Sequence, residues 1–278
     1  MTLAGSVPVP ATIAGPEVRD AVYLYCFTHD LAGPRPRGLP PDLPAVDEDR
    51  SLQLHRHAGL IALVSAVRRA DYEGEQGNAH LADIAWVGPR ALRHQAVLVA
   101  AHRVAAVFPL PFGTLFSSRA ALECEMERRQ HEIDTALRRL AGCSEWAVQG
   151  TLDHAAALDA RVREAIAEGR YVPSAMPGRR HLEEQRLRRG LEADLGDWAR
   201  AAAASLAQAL RRASTDFVER RVPTGQALAF NWAFLVPNPS VDAFQSTVTA
   251  ALPELARYGL SVVCKGPWPG YSFTGPRA

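Results

Sequence analysis

The order of hydrophobic and polar residues predicts a chain that mixes short strands with amphipathic helices. Runs rich in aromatic and β-branched residues, which are typical of strands, lie at 21–28, 60–67, 145–152, 227–236 and 260–264. A weaker run at 51–57 alternates leucine with polar residues, and the Ala58-Gly59 pair after it predicts an antiparallel hairpin with the run at 60–67. The run at 60–67 is almost wholly apolar, so we expect it to be a central strand.

Apolar residues at three- and four-residue spacing predict helices between these strands. They are expected at about 89–104, 118–140, 154–168 and from 240 or 242 onward, with a polar loop at 71–80 before the first. Pro89 suits the first turn of a helix, where its missing N–H costs nothing. Ser117 or Ser118 can cap the second helix, and Gly142 ends it.

The longest helical pattern in the chain runs from about Arg180 to Val218. As one helix it would span roughly 57 Å, which is longer than a small domain is wide. Gly196-Asp197 is a point where it can kink or divide, because Asp197 can act as an N-cap. An unbroken helix would have to project from the molecule.

The stretch at 107–116 reads Val-Phe-Pro-Leu-Pro-Phe-Gly-Thr-Leu-Phe and cannot be a helix. Pro109 and Pro111 lack backbone donors and push the residues before them toward extended geometry. The stretch is too apolar to lie in water, so we expect a buried edge strand or an extended crossing between two helices. Gly113 would supply a turn or allow another backbone to approach closely.

The order of these elements predicts an α+β protein with two domains and a boundary near Gly142. Residues 1–142 form the first α+β domain, in which 1–20 are expected to be a loose extension. In residues 143–278 the order strand, helix, strand, helix, strand is that of a ferredoxin-like sheet with one strand not located. That strand is expected at 220–222 or at the start of the strand near Gln226.

Composition and charge fit a cytoplasmic globular protein. Of the 278 residues, 47% are hydrophobic and 22% are charged, and no apolar run reaches the length of a membrane span. Residues 1–20 lack the basic and apolar regions of a signal peptide. The net charge of +1 gives no attraction to nucleic acid or to a lipid membrane.

Side chains that could carry chemistry form no catalytic constellation. Four cysteines without CxxC spacing indicate buried free thiols, namely Cys26, Cys124, Cys143 and Cys264. His55 and His57 share a strand face and could hold a metal, but no further ligand lies at suitable spacing. His94 could be a general base or a histidine hydrogen-bonded at the core edge, and the second interpretation is favoured. Gly-x-Ser-x-Gly, Gly-x-Gly-x-x-Gly and Walker A motifs are absent, so we expect no enzyme, cofactor, metal or small-molecule substrate.

Arginine clusters between 179 and 212 invite a nucleic-acid interpretation. Glutamates interleave with the first cluster at the spacing of i to i+4 pairs, which favours a solvated helix face. The apolar stripe on the same pattern is expected to be core, although part of it could meet another protein.

Several motifs together resemble the gas vesicle GvpF/GvpL family between Val22 and Phe273. They are Val22-Tyr-Leu-Tyr, Ala82-Asp-Ile-Ala-Trp86 followed by His94, Phe108-Pro-Leu-Pro-Phe-Gly-Thr114, Glu145-Trp146, the run at 228–236 and Gly266-Pro-Trp-Pro-Gly-Tyr-Ser-Phe273. This chain departs from the family pattern at Pro111, where arginine is usual, and at Gly270, where proline is usual. It also lacks a usual tyrosine in 178–182.

The resemblance implies a non-enzymatic accessory or minor structural protein of gas vesicle assembly. It implies a modified ferredoxin-like second domain with a long helical insertion, and contacts with the shell protein and other gas vesicle proteins. The alternative is a regulatory protein that binds a small ligand on ferredoxin-like sheets, which would need a polar-lined pocket.

The motif residues are the candidates for partner binding: Pro109, Phe112, Gly113, Thr114, Trp146, Trp268, Pro269, Tyr271 and Phe273. The aromatic tail at 265–273 is expected to be a strap over a domain, the other interpretation being an exposed hot-spot patch. The stretch at 107–116 is expected to shape the first domain from within rather than to form the contact surface.

Overall fold

Two antiparallel β-sheets, each covered by helices, make up the part of the chain that this computed structural model describes, residues 20–29, 38–222 and 228–275. The mixed α+β content is as predicted. The expected loose extension, apart from Asp20, and the turn expected at 223–225 lie outside the described residues. No helix in the described ranges has the length and apolar character that crossing a membrane requires.

The first sheet has the strand order β2-β3-β1-β4, with β5 also paired to β1. Its strands are β1 (Asp20–Thr28), β2 (Gln53–His57), β3 (Leu60–Arg68), β4 (Phe108–Pro109) and β5 (Leu115–Phe116). The predicted hairpin is confirmed, because β2 pairs with β3 around Ala58 and Gly59, both of which have positive φ as a tight two-residue turn requires. β3 lies inside the sheet, as expected.

Three helices accompany the first sheet: α1 (Gly74–Ala82), α2 (Ile84–Val104) and α3 (Arg119–Leu140). Tyr23, Tyr25 and other residues of β1 share one hydrophobic cluster with α2, while Leu24 and Phe27 share another with α3. The two helices therefore cover opposite faces, which explains why β1 is apolar at nearly every position. Ser118 caps α3 by accepting a hydrogen bond from Ala121 N–H, as predicted.

Two predictions for this region are wrong. The polar loop expected at 71–80 is largely helix α1, which buries Gly77 alone and so has no apolar stripe to reveal it. Helix α2 begins at Ile84 rather than at Pro89, because the side chain of Asp83 accepts a hydrogen bond from Ala85 N–H and caps the helix earlier. Pro89 consequently lies inside the helix.

The stretch at 107–116 is an edge of the first sheet, as one of its two interpretations predicted. β4 pairs with Cys26 and Phe27 of β1, and Leu110 N–H donates to the carbonyl oxygen of Tyr25 at 2.9 Å. The chain then turns, with Gly113 at φ 82°, and β5 returns to the same strand. Residues 107–110 are buried and belong to the core, whereas Pro111 is exposed and 112–116 are half-buried.

The second sheet has the strand order β7-β8-β6-β9. Its strands are β6 (Cys143–Leu152), β7 (Asp216–Glu219), β8 (Leu228–Pro237) and β9 (Leu260–Trp268). Trp146, Phe230, Phe234 and Phe244 form the centre of the cluster that packs between this sheet and its helices. The helices are α4 (His154–Ala167), α5 (Pro177–Glu192), α6 (Leu195–Ala202), α7 (Ala204–Arg212) and α8 (Val241–Arg257).

The helical pattern at about 180–218 is divided, which is one of the two alternatives that the sequence left open, and its last residues are not helical. The chain breaks between α5 and α6 and again at Ala203, and 216–219 form β7, which is the strand that was expected at 220–222 or near Gln226. Four apolar residues of α6 and α7 are buried in the cluster of the second sheet, so both helices contribute to its core: Leu195, Ala199, Leu206 and Leu210. Helix α5 buries no residue, and Arg179–Glu183 and Arg188–Glu184 pairs line it, as the solvated interpretation predicted.

Candidate functional site

Among the residues that the structure describes, no three His, Cys, Asp or Glu side chains lie together in a group that could hold a metal ion. His55 Nε2 lies 3.0 Å from Glu123 Oε1 and His57 Nε2 lies 2.7 Å from Glu127 Oε1, so both imidazoles on the edge strand β2 contact carboxylates of α3. All four cysteines are free, but only Cys26 is fully buried, and Cys124 is exposed on α3. The expectation that all four thiols are buried is therefore wrong.

The cleft beside the N-terminal part of α2, about 410 Å³ in volume, is lined by charged residues of both signs. Arg90 Nε donates to Asp47 Oδ1 at 2.9 Å, and Arg93 Nη1 donates to Glu48 Oε1 at 2.6 Å. The cleft thus has the polar lining that the ligand-binding alternative needs, but these four charged side chains are paired with one another within the chain.

His94 joins three of the motifs in one hydrogen-bond network. Tyr23 Oη–H donates to His94 Nδ1 at 2.8 Å, and His94 Nε2–H donates to the carbonyl oxygen of Leu110 at 3.2 Å. Gly113 N–H donates to Tyr23 Oη at 3.1 Å. A carbonyl can only accept, so Nε2 carries the proton and Nδ1 accepts. The network therefore fixes the turn after β4 against strand β1 and helix α2.

Burial lowers the pKa of His94 to about 4, against the upward effect of its bond to Leu110. Burial also raises the pKa of Tyr23, so both groups are neutral at neutral pH. A histidine with both nitrogens engaged and a low pKa is poorly placed to accept a proton from a substrate. The favoured interpretation of His94 as a hydrogen-bonded core residue is confirmed.

Glu145 is the centre of a second network, in the second sheet. Its carboxylate accepts from Ser272 N–H at 2.7 Å and Ser272 Oγ–H at 3.2 Å, and it forms an ion pair with Arg220. The glutamate side chain is only 2% exposed, and burial raises its pKa while the Ser272 and Arg220 donors act in the opposite direction. A buried carboxylate of this kind requires such donors, so the C-terminal tail is held where it can supply them.

The tail after β9 crosses from the second sheet to the first. Tyr271 Oη–H donates to Gln95 Oε1 of α2 at 2.6 Å, and its ring packs against the cluster of the first sheet. Phe273 is buried with Leu140 and Leu235 beside the second sheet. The tail is thus a strap, as expected, but it bridges the two sheets instead of covering one domain.

Two further contacts link the helices of the first sheet to the second sheet and to the tail. Ser144 Oγ–H donates to Asn238 Oδ1 at 3.0 Å and therefore accepts from His102 Nε2–H of α2, which lies 3.1 Å away. Arg139 at the end of α3 donates to the carbonyl oxygen of Phe273. We call the contact region of α2, the end of α3, Ser144 and the strap the seam.

The motif residues that were proposed from the sequence differ in how far they are exposed to solvent. Pro109, Trp146, Pro269 and Phe273 are buried, whereas Phe112, Gly113, Thr114 and Tyr271 are half-buried. Trp268 is 36% exposed at the end of β9. The structure thus places most of them in or beside the two networks and the seam.

Sequence reasoning missed the partners of Glu145 in the second network. Arg220 and Ser272 were not singled out, and nor were Gln95 and Ser144 at the seam. The available signal was Glu145 itself, the one charged residue in the strand run at 145–152. Such a residue demands buried partners, but the run does not say which.

Comparison with known proteins gives one consistent match. The family model described as gas vesicle synthesis protein GvpL/GvpF matches residues 21–275. Gas vesicle protein L of a Streptomyces species is 29% identical over 269 residues, covering 91% of this chain and 92% of that protein.

Two solved structures are similar over nearly the whole chain. The crystal structure of the gas vesicle protein GvpF from Anabaena sp. PCC7120 has a TM-score of 0.67 at 17% identity and covers 93% of this chain and 100% of that one. GvpF from Microcystis aeruginosa has a TM-score of 0.64 at 18% identity, with 92% and 99% covered. At such identities the likeness is one of fold.

Proposed function

Because this chain belongs to the gas vesicle synthesis protein GvpL/GvpF family, we propose that it is an accessory or minor structural protein of gas vesicle assembly. The family match over residues 21–275 carries the proposal, since it spans both sheets and the strap. The predicted resemblance is confirmed by it. The chain would act in the cytoplasm, at the vesicle, through contacts with the shell protein and with other gas vesicle proteins.

We also propose that residues 143–278 form a modified ferredoxin-like domain and residues 1–142 a separate α+β domain. The strand order β7-β8-β6-β9, with α4 and α8 as crossover helices, supports this description. Helices α5, α6 and α7 would then be the insertion between the first two strands of that domain.

The proposed partner surface is the exposed part of the motifs. Buried residues such as Trp146 and Phe273 would shape this surface without touching a partner. Trp268 lies at the end of β9, which is an edge strand, and the turn at 111–114 is exposed or half-buried. Trp268 belongs to the strap, and the turn adjoins the strap because Phe112 and Tyr271 pack against the same cluster. A tryptophan at such a place is the kind of side chain on which binding energy concentrates.

The experiment deletes the gene in a vesicle-forming host and restores it as wild type, Trp268→Ala or Val263→Ala. Val263 is a matched control, since it is 46% exposed on the same strand but lies outside the motifs. We expect the deletion and Trp268→Ala to impair vesicle formation, and Val263→Ala to restore it.

Pull-down with the purified shell protein separates binding from folding. We expect Trp268→Ala to weaken capture by about thirtyfold, which corresponds to roughly 2 kcal/mol. Its denaturation midpoint should stay close to that of Val263→Ala. Normal vesicles in the deletion strain would refute the assembly role, and unchanged capture would remove Trp268 from the contact surface.

A further inference from the structure

The outward face of α2 is apolar along most of the helix. Residues at three- and four-residue spacing share this face, and all of them are exposed or half-buried: Ala85, Gly88, Pro89, Leu92, Ala96 and Val99. Leu92 is 74% exposed, and Ile84 beside the row is 80% exposed. We call these seven residues the α2 strip. Single exposed apolar residues are ordinary, but a continuous row of them marks an interaction surface.

The α2 strip is not covered by other groups of the same helix. His94, Val97, Leu98 and Ala101 lie on the opposite face and pack into the first sheet. The charged side chains of Arg90 and Arg93 turn away to Asp47 and Glu48. A surface helix of a monomeric protein normally presents polar residues to water, whereas the strip face of this helix carries none between Ala85 and Val99.

We propose that the α2 strip is the interface between two copies of this chain, with the two α2 helices antiparallel around a two-fold axis at Leu92. In such a pair, positions equally far before and after Leu92 face each other. Gly88 would lie beside Ala96 of the second copy, and Ala85 beside Val99 of the second copy. Small residues thus face small or medium ones while the two Leu92 side chains meet at the centre, which allows close helix packing.

The charges at the ends of the strip support the antiparallel direction. Asp83 precedes the helix, and His102 and Arg103 belong to its last turn. Antiparallel packing brings Arg103 of each copy toward Asp83 of the other, whereas parallel packing would place like charges together. It also sets the two helix dipoles in opposition, which is favourable.

One pair of helices buries a small area, so we expect a weak dimer that forms with rising concentration. This association goes beyond the proposed function and does not depend on it, because it needs only the purified chain. A failure of the shell-protein experiment would therefore not count against the dimer, and a failure to find the dimer would not count against the proposed function.

Disulfide cross-linking tests both the contact and its register. The background carries Cys124→Ser, because Cys124 is the cysteine that is exposed. Leu92→Cys is compared with Val172→Cys, whose position is 78% exposed in the loop after α4. We expect the Leu92→Cys chain to oxidise to a dimer at least about tenfold faster than the Val172→Cys chain, since association raises the local thiol concentration.

The register follows from two further variants, Gly88→Cys and Ala96→Cys. A Cβ at Gly88 meets no atom within 4 Å, so the first substitution is accommodated. In an antiparallel dimer of either variant by itself, the two introduced cysteines would lie about 12 Å apart along the helix axis, which is beyond the reach of a disulfide. We expect neither to cross-link alone, and a mixture of the two to cross-link. If Gly88→Cys alone cross-links as well as the mixture of the two variants, the antiparallel arrangement is overturned.

Sedimentation velocity over a range of concentrations gives an independent result. Wild type should shift from monomer toward dimer, and Leu92→Asp should stay monomeric with an unchanged denaturation midpoint, since Leu92 is 74% exposed. A wild-type protein that stays monomeric, with Leu92→Cys no faster to oxidise than Val172→Cys, would overturn the proposal. If the wild type is monomeric and Leu92→Asp no longer captures the shell protein, the α2 strip binds the shell protein instead of a second copy. That result would also overturn the proposal.

Discussion

Two buried titratable residues show how much a side chain's role depends on groups far away in the sequence. His94 is bonded to Tyr23 and to Leu110, and Glu145 to Ser272, which is 127 positions later. Both residues interrupt apolar patterns, which marks them as special. Burial lowers the pKa of His94 and raises that of Glu145, and in both cases the hydrogen-bond partners act against the shift.

The low pKa of His94 predicts that acid destabilises the fold. The unfolded chain takes up a proton near pH 6.5, whereas the folded chain resists protonation down to about pH 4. The unfolded state therefore binds more protons between these values, and the free energy of unfolding falls as pH drops from about 6.5 to 4, by on the order of 3 kcal/mol in total. Above pH 6.5 the titration of His94 should not change the free energy of unfolding.

Denaturant unfolding of wild type and His94→Gln at several pH values checks this prediction. Glutamine cannot titrate, so the variant should be less stable at pH 7 but should lose less stability toward pH 4. Carboxylates titrate in both proteins, and the difference between the two curves isolates the histidine. Parallel curves would show that His94 is not the responsible group.

Secondary structure was predictable for segments whose apolar face packs against a single neighbouring element. The hairpin β2–β3, helix α3 with its Ser118 cap and strand β6 all follow the periodicity of the sequence. The predictions fail where tertiary contacts decide. Helix α1 has no apolar stripe, and β7 lies in a segment with helical spacing because Thr215 N–H and its neighbours pair with β8.

The packing of the strap against α3 gives a prediction about Gly270. A Cβ at this position would lie 2.3 Å from Cδ2 of Leu140, which is itself only 3% exposed. Gly270→Ala should therefore cost about 1–3 kcal/mol through overpacking. Leu140→Ala alone should cost about 2–5 kcal/mol through the cavity that it leaves.

The double variant distinguishes overpacking from a backbone effect. Removing Leu140 makes room for the new methyl group, so Gly270→Ala with Leu140→Ala should cost less than the sum of the single changes. A double-mutant cycle from denaturation midpoints measures this coupling. Additive effects would mean that the cost of Gly270→Ala arises elsewhere.

At the scale of the whole molecule, the sequence predicted the two halves but not how they are joined. The boundary expected near Gly142 stays a prediction, although each sheet lies on its own side of that residue. The seam rests on contacts such as Tyr271 with Gln95, which are 176 positions apart. No local pattern encodes such a pair, and the strap was recognisable only by its rigid aromatic composition.

The strap predicts how the molecule unfolds. It supplies Tyr271 to the first sheet, Phe273 to the second and the Ser272 donors to Glu145. Deleting 269–278 should leave each sheet with its own core, but it leaves Glu145 without the Ser272 donors and loosens the seam. We expect the single calorimetric transition of the full chain to separate into two, with the second sheet unfolding first. Deleting only 276–278 is the control and should preserve one transition. If the longer deletion also unfolds in a single step, the contacts of His102 with Ser144 and of α3 with the second sheet are sufficient to couple the two halves without the strap.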